Sequence, residues 1–415
     1  MGRVHLIRLI SMARKRKQTT IPKRSLWQRL WSGTRQTIRE NLKEHEPWEE
    51  WVDAVVATVL TLLCTWLALH SSFTGDLFNT ITDTDSPELI DLYNSSSRRT
   101  GVPKYSSITI MPIDGCSRQE VTTALELLSD METTAIGMDV VFPYYADGDE
   151  MLVEAIMSNG NIVLASCPSP STYFEPMLAD EGVTFGSVVL DVKTRHDVVR
   201  TFAPAVYTPT DTVWSFEMQL ARMAGAGVST FYPYDEPRYI LYSNLLMDTL
   251  SCKDLIDPNA DLEALSARLK GQIVLMGDMT ATSDLYRTPI DADMPGVLIH
   301  AYALEMMLRG NNVTVSSKYF NWSVACVLCF VFSFFMLFFK WGFDDGEGLA
   351  LRITQVLLLV LLVVVPGVCF FHWFHWYFDF TPALFALAIH AFVLDVWVGI
   401  MALAKHVYNC IHLDQ

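Results

Sequence analysis

Residues 106–167 read SSITIMPIDGCSRQEVTTALELLSDMETTAIGMDVVFPYYADGDEMLVEAIMSNGNIVLASC. Three short apolar runs, SSITIMPID (106–114), AIGMDVVF (135–142) and NIVLASC (161–167), have the length and β-branched content of strands. Between the first two, Val121, Leu125 and Leu128 recur at helical spacing, and DEMLVEAIMSNG (149–160) predicts a second helix. Strands that are apolar almost throughout are covered on both faces, and strand–helix–strand alternation makes them parallel. The stretch predicts an α/β domain with a mostly parallel sheet.

The flanks extend that domain over roughly 105–310. Residues 76–104 read as a polar connector with some helical content. GVTFGSVVLD (182–191) and VVRTFAPAVYT (198–208) predict a hairpin pair in a β-rich insertion, SFEMQLARMAG (215–225) a helix and RYILYS (238–243) a strand. The pattern then clears into a helix (DLEALSARLKG, 261–271), a strand (QIVLMGD, 272–278), a polar loop and a helix (PGVLIHAYALEMMLRG, 295–310).

Outside the domain the chain is a membrane sequence. It is 51% hydrophobic and 18% charged, with mean hydropathy +0.25, which excludes a disordered chain and a wholly soluble one. A spanning helix needs about 20 apolar residues, and the stretches expected to span are 51–75, 318–340, 353–373 and 380–404: one before the domain, three after it. Residues 1–50 hold 12 Lys and Arg against 5 Asp and Glu, whereas 71–317 hold 14 against 34. Lys340 and Arg352 lie between the second and third spans, while HWFHWYFDF (372–380), between the third and fourth, has neither Lys nor Arg. The positive-inside rule therefore places both termini in the cytoplasm, with 76–317 outside and 405–415 as a short cytoplasmic tail. The basic head, with Trp27, Leu30 and Trp31 among its arginines, reads as a membrane-surface helix rather than a nucleic-acid binder. No A-x-A-like site follows the first apolar run, so it reads as an uncleaved anchor, with Trp48 and Trp51 in its aromatic belt.

Residues 271–310, GQIVLMGDMTATSDLYRTPIDADMPGVLIHAYALEMMLRG, carry a specific pattern in Gly271, Gly277, Asp284, Tyr286, Thr288, Pro289, Pro295, Gly296, His300 and Ala301. With ITIMPID ending at Asp114, AIGMD ending at Asp139, Phe142 and GNIVLA, it resembles the CHASE domain of type 2, an extracellular sensory module of bacterial receptors. One anchor helix before the domain and three after it also fit that family. The resemblance implies a sensor in a bacterial inner membrane, facing the periplasm. The sequence departs from the family at DVKTRHDVVRTF (191–202), where Val198, Val199 and Arg200 remain but the usual Gly does not. It departs again after the last span, where the family's kinase, cyclase or other effector is replaced by KHVYNCIHLDQ. The expectation is a stand-alone sensor that relays to a separate cytoplasmic or membrane effector, with a homodimer expected by analogy. The alternatives are a structural or assembly subunit that binds an envelope protein and, further off, an envelope hydrolase.

No nucleophile elbow, P-loop, zincin or dinucleotide motif is present, so the chain is expected not to be an enzyme, with no cofactor and no metal. In open α/β sheets, ligands bind beyond the carboxyl ends of the strands. Asp114, Asp139 and Asp278 fall there, and Asp284, Tyr286 and His300 lie on the elements that would cover that edge. These six are candidate contacts for an unknown small molecule or envelope protein. The competing reading makes the aspartates helix caps or turn formers and His300 a hydrogen-bonded core residue. Gly277, Pro289, Pro295 and Gly296 read as turn formers. His196 and His300 are too few for a zinc site, and Cys116, Cys167 and Cys252 read as buried thiols. In the membrane part Asp395, with Arg352 and His390 as partners, is the candidate for coupling between helices, since an ionisable group at such depth usually faces protein.

Overall fold

The structure is a computed structural model and describes residues 47–71, 88–142, 149–168, 182–190, 197–207, 212–234, 236–339 and 345–413. The basic head before residue 47, the connector before residue 88, the 191–196 segment with His196, and Lys340 lie outside the described residues, as do the side chains of Trp48 and Arg352.

The main helices are α1 (Pro47–His70), α2 (Leu89–Thr100), α3 (Arg118–Ser129), α4 (Glu150–Ser158), α5 (Phe216–Met223), α6 (Leu262–Leu269), α7 (Gly296–Leu308), α8 (Lys318–Phe339), α9 (Asp345–Phe374) and α10 (Thr381–Leu413). The sheet strands are β1 (Lys104–Pro112), β2 (Ala135–Asp139), β3 (Ile162–Ser166), β4 (Thr184–Ser187), β5 (Leu245–Thr249) and β6 (Ile273–Gly277). They form one sheet in the order β4-β3-β2-β6-β1-β5, and every neighbouring pair is parallel.

Local chemistry sets the helix starts. Ser117 and Glu120 form a reciprocal capping box at α3. Ser215 accepts from Met218 N at α5 and Asp261 from Ala264 N at α6, each satisfying an amide that the first helical turn leaves without a partner. Because strand side chains alternate, the sheet builds two cores. Ile136, Met138, Leu164, Val274 and Met276 pack with Leu125 and Leu128 of α3 and Leu152 and Ile156 of α4. On the other face Ile108, Ile110, Val163, Ile273 and Leu275 pack with Phe216 and Leu220 of α5 and Ile299 and Ala303 of α7.

Two sequence expectations are corrected. GVTFGSVVLD and VVRTFAPAVYT are not partners in a hairpin: Thr184–Ser187 extends the main sheet as parallel edge strand β4. Thr201–Phe202 pairs instead with Arg238–Tyr239, and Ala205–Tyr207 with Thr212–Trp214, both antiparallel. The parallel choice lets Gly186 take the start of α5: a Cβ there would sit 2.4 Å from Phe216 Cα. RYILYS, in turn, is strand only over Arg238–Tyr239. The opposite edge of the sheet is β5, whose apolar run is only Leu245–Met247 before it turns polar. Its Asp248 and Thr249 are exposed, and Asp248 accepts from Arg268 Nε of α6 at 2.5 Å, a charged edge that resists pairing with another chain.

Among the described residues four helices are long and apolar enough to cross a membrane, over Trp51–His70, Lys318–Leu337, Ile353–Phe374 and Thr381–Tyr408. The chain divides into two compact units, residues 60–329 with 356–390, and residues 1–59 with 330–355 and 391–415. In the smaller unit the Trp51 ring meets Phe330 and Phe334 at 5.7 and 5.0 Å, and Trp397 Nε1 donates to Asp53 Oδ1 at 2.9 Å. Asp395 lies on an exposed side of α10 there. In the larger unit His390 is fully buried and its Nδ1 is 2.7 Å from Thr61 Oγ1 of α1.

Candidate ligand crevice

The parallel strands β1, β2, β3 and β6 end on one edge of the sheet, so the residues that follow them converge. On the α5/α7 side the approach is close because two strand positions are glycine. A Cβ at Gly137 would lie 2.8 Å from Leu220 Cδ1 and Phe216 Cζ, and one at Gly277 would lie 2.8 Å from Val297 Cβ. Gly277 thus sets how closely α7 lies on the sheet, and this fixes where His300, one turn into that helix, can reach.

His300 and Glu217 form the floor of the edge. Both are buried, 3% and 2% exposed, and His300 Nδ1 stands 2.5 Å from Glu217 Oε1; the Phe216 ring meets the imidazole edge-on at 5.6 Å. Burial pulls the imidazole pKa down, but the Glu217 carboxylate beside it, with Asp139 and Asp284, outweighs this and raises it to about 9. His300 is therefore an imidazolium at neutral pH, paired with Glu217.

Asp139 ends β2 and Asp284 follows the 278–283 loop; both are partly buried. Burial raises the Asp139 pKa to about 6, with His300 opposing and Asp284 and Glu217 adding to the rise. Burial also raises Asp284, against His300, the Tyr286 hydroxyl and the Gly296 amide, all of which favour the carboxylate. Asp284 caps α7: a Cβ at Gly296 would come within 2.7 Å of its Oδ2, and a carboxylate at a helix N-terminus meets the positive end of the dipole. Cys167, just past β3, is exposed and so is not the buried thiol the sequence suggests; partial loss of solvent, with the Asp139 and Asp284 charges beside it, still raises its thiol. Asp139, Asp284, Tyr286 and Cys167 thus border one acidic edge above an internally neutralised His–Glu pair.

Asp114 and Asp278 lie at the same edge but are engaged by the chain. Asp114 Oδ1 accepts from Met279 N, Thr280 N and Thr280 Oγ1 at 2.8, 3.1 and 2.9 Å. Asp278 Oδ1 accepts from Thr280 N and Ala281 N, both at 2.8 Å. The neighbouring Asp114 side chain, with the Thr280 and Ala281 amides, holds Asp278 below the usual carboxylate range. These two clamp the loops after β1 and β6 together. Pro289 O accepts from Ser95 Oγ of α2 at 3.0 Å. Pro295 closes a two-residue ribbon, Leu285–Tyr286 against Met294–Pro295, and leads into α7. Among the described residues no group of three His, Cys, Asp or Glu side chains could hold a metal ion. Cys252 is buried, its Sγ donates to Glu120 O at 3.8 Å, and burial, with the neighbouring Cys116 thiol, pushes its thiol up to about 12.

Three features escaped sequence reading. Glu217 was hidden in an ordinary helix, although it sits with Phe216, Leu220 and Ala221 on that helix's buried face, and an acid on an apolar face is a signal. In the sequence Arg200 stands out only as part of the VVR motif. It is 8% exposed and grips Asp91 of α2 with both ends of its guanidinium, Nε to Oδ1 at 2.8 Å and Nη2 to Oδ2 at 2.9 Å, while Glu88 Oε1 lies 3.4 Å from Nη1. The third is an aromatic seam far along the chain. Thr314–Val315, just before α8, pairs in parallel with Trp376–Tyr377 between α9 and α10. Tyr93 of α2 meets Phe371 at 5.5 Å and Tyr377 at 5.8 Å, and Tyr239 meets Tyr377 at 5.2 Å. Phe371 and Tyr377 belong to the same core as α5 and α7. The connection between α9 and α10 is thereby part of the α/β domain's own packing.

No curated protein and no solved structure gives a significant match to the chain. The family model of the CHASE2 domain matches residues 96–338, a range that takes in the parallel sheet, the crevice, the Thr314–Val315 strand and nearly all of α8. With more than half of its length matched across those elements, the chain belongs to the CHASE2 domain family.

Proposed function

We propose that this protein is a multi-pass sensor of the bacterial inner membrane, whose extracytoplasmic CHASE2 domain detects an envelope signal and relays it through the membrane helices to a cytoplasmic or membrane effector. Helix α1 enters the membrane before the domain and α8, α9 and α10 follow it. The Lys and Arg bias supports cytoplasmic termini and an external 76–317.

The observation that carries the reading is the continuity between crevice and seam. Helix α7 is buried over nearly its whole length and spans about 20 Å at 1.5 Å per residue. Its N-terminal end meets the Asp284 cap and carries His300 one turn in; its last turn leads into Thr314–Val315, which is hydrogen-bonded to the α9–α10 connection. A ligand that binds one position of α7 better than another shifts the helices only by that difference in affinity, and a rigid buried helix loses little of it on the way. Asp139, Asp284 and Tyr286 are the proposed ligand contacts, with His300 and Glu217 as their support. The ligand is a small molecule or an envelope protein. The domain belongs to a sensory family, and the reading assigns it binding rather than catalysis, with a homodimer as the working oligomer.

A second reading, an assembly subunit that binds an envelope protein, is favoured by the full engagement of Asp114 and Asp278 within their own loops. The two separate in a pull-down of the full-length protein from native membranes in mild detergent, with neighbours identified by mass spectrometry. The sensor reading expects a reproducible kinase, cyclase, protease or regulator, released by Tyr377→Ala at the seam. Recovery with envelope structural proteins and no signalling partner supports the assembly subunit instead.

A further inference from the structure

Beside the aromatic seam is a cavity of about 490 Å³. Its floor is apolar: Pro366 and Gly367 of α9 with Phe370, and Phe378 and Phe380 from the connection to α10. Its outer wall is Val315 with Ser316 and Ser317, and Phe320 of α8 closes one side.

We propose that this cavity binds the acyl chain of an anionic membrane phospholipid, with Lys318 taking the phosphate. The inference rests on the membrane reading of α8, α9 and α10. Pro366 lies eight residues before the end of α9 at Phe374, about 12 Å below that end at 1.5 Å per residue. The floor is therefore at acyl-chain depth, whereas the Ser316–Ser317 rim lies where α8 begins, at headgroup depth. The medium around such an opening is lipid, so an acyl chain is the solvent that fills it. A volume of 490 Å³ falls within the range of small-molecule sites and leaves room for most of one chain. Lys318 is exposed beside Ser317 and provides a cation at the rim. The neighbouring acid, Asp379, is turned to the start of α10, where its Oδ1 accepts from Thr381 N at 3.1 Å. Occupancy would bear on the relay, because Val315 and Tyr377 line the cavity and also form the seam strands.

The test uses full-length protein in vesicles of phosphatidylethanolamine and phosphatidylglycerol, the latter carrying a photoreactive diazirine in its acyl chain, with labelled peptides mapped by mass spectrometry. Residues 357–362 serve as the internal standard for ordinary lipid contact, since Leu357, Leu358, Leu361 and Leu362 are exposed on α9. The expected result is labelling of 314–320 and 366–380 several-fold above that standard. Val315→Trp, which fills the cavity from a half-exposed position, should bring it down to the standard. Lys318→Gln should lower it more for phosphatidylglycerol than for labelled phosphatidylethanolamine, whose own ammonium offsets its phosphate; an equal effect on both lipids, or none on either, would overturn the role of Lys318. Cavity peptides labelled no more than 357–362, or labelling unchanged by Val315→Trp, would overturn the site and leave the membrane reading intact. Absence of label from 357–362 as well would overturn both. Displacement by free fatty acid and not by unlabelled phospholipid would overturn the choice of ligand.

Discussion

Glu217→Ala is expected to lower the stability of the α/β domain by about 3–5 kcal/mol at neutral pH, the usual cost of removing one partner of a buried ion pair. Glu217 and His300 are 2% and 3% exposed, so the loss of the carboxylate leaves an imidazolium that must stay charged without its partner or give up its proton. The pH dependence identifies the cause. With its folded pKa raised from 6.5 to about 9, His300 contributes stability that is fully present below pH 6.5 and is lost as pH climbs through about 9. At roughly 1.4 kcal/mol per pKa unit, that window is worth on the order of 3 kcal/mol. Asp139, raised from 3.8 to about 6, contributes stability that is present below pH 3.8 and lost as pH rises through about 6, a separate and lower window. In Glu217→Ala the main charge that raises His300 is gone and burial pulls it down, so the upper window should collapse while the lower one persists. Denaturant melts of the wild type and the variant from pH 3 to pH 10 read both effects. A variant that keeps the wild-type slope between pH 6.5 and 9 would show that Glu217 does not hold the His300 proton.

Arg200→Ala is expected to cost about 3 kcal/mol, at the lower end of the range for a broken buried pair, because Asp91 and Glu88 retain some solvent, 22% and 39%. Two parallel N–H···O bonds from a planar guanidinium make the contact specific as well as strong. The affected element is α2, whose Tyr93 forms one side of the aromatic seam, so the loss should also loosen that helix. A double-mutant cycle with Asp91→Asn should return a coupling above that of a surface pair, which seldom exceeds about 1 kcal/mol. A coupling at or below that value would mean that Arg200 acts through packing alone.

The sheet was legible because its strands are local and almost purely apolar: β1, β2, β3 and β6 stand out as ITIMP, AIGMD, IVLAS and IVLMG. Edge strand β5 was not, since Asp248 and Thr249 face solvent and its pairing with β1 spans more than a hundred residues of chain. The pairing of β4 was misread for a related reason: whether an apolar run turns back on its neighbour or joins a distant sheet is decided by Gly186 against Phe216, a contact invisible to periodicity. At the crevice, Asp139, Asp284, Tyr286 and His300 could be named from strand ends and a family pattern. Glu217 could not be placed among them, because the contact with His300 joins residues 83 positions apart. The seam was hidden for the same reason. Nothing in HWFHWYFDF announces that Tyr377 is buried against Tyr93 and Tyr239 rather than standing in an interfacial belt.

Sidedness tests the sensor account most directly. One epitope is inserted beside exposed Asn259 in the α/β domain and another, in a separate protein, between α8 and α9. Each is probed with antibody on sealed right-side-out membrane vesicles before and after permeabilisation. The account predicts that the Asn259 epitope is reached at once and the α8–α9 epitope only after permeabilisation. The reverse order would put the CHASE2 domain in the cytoplasm and contradict an envelope sensor.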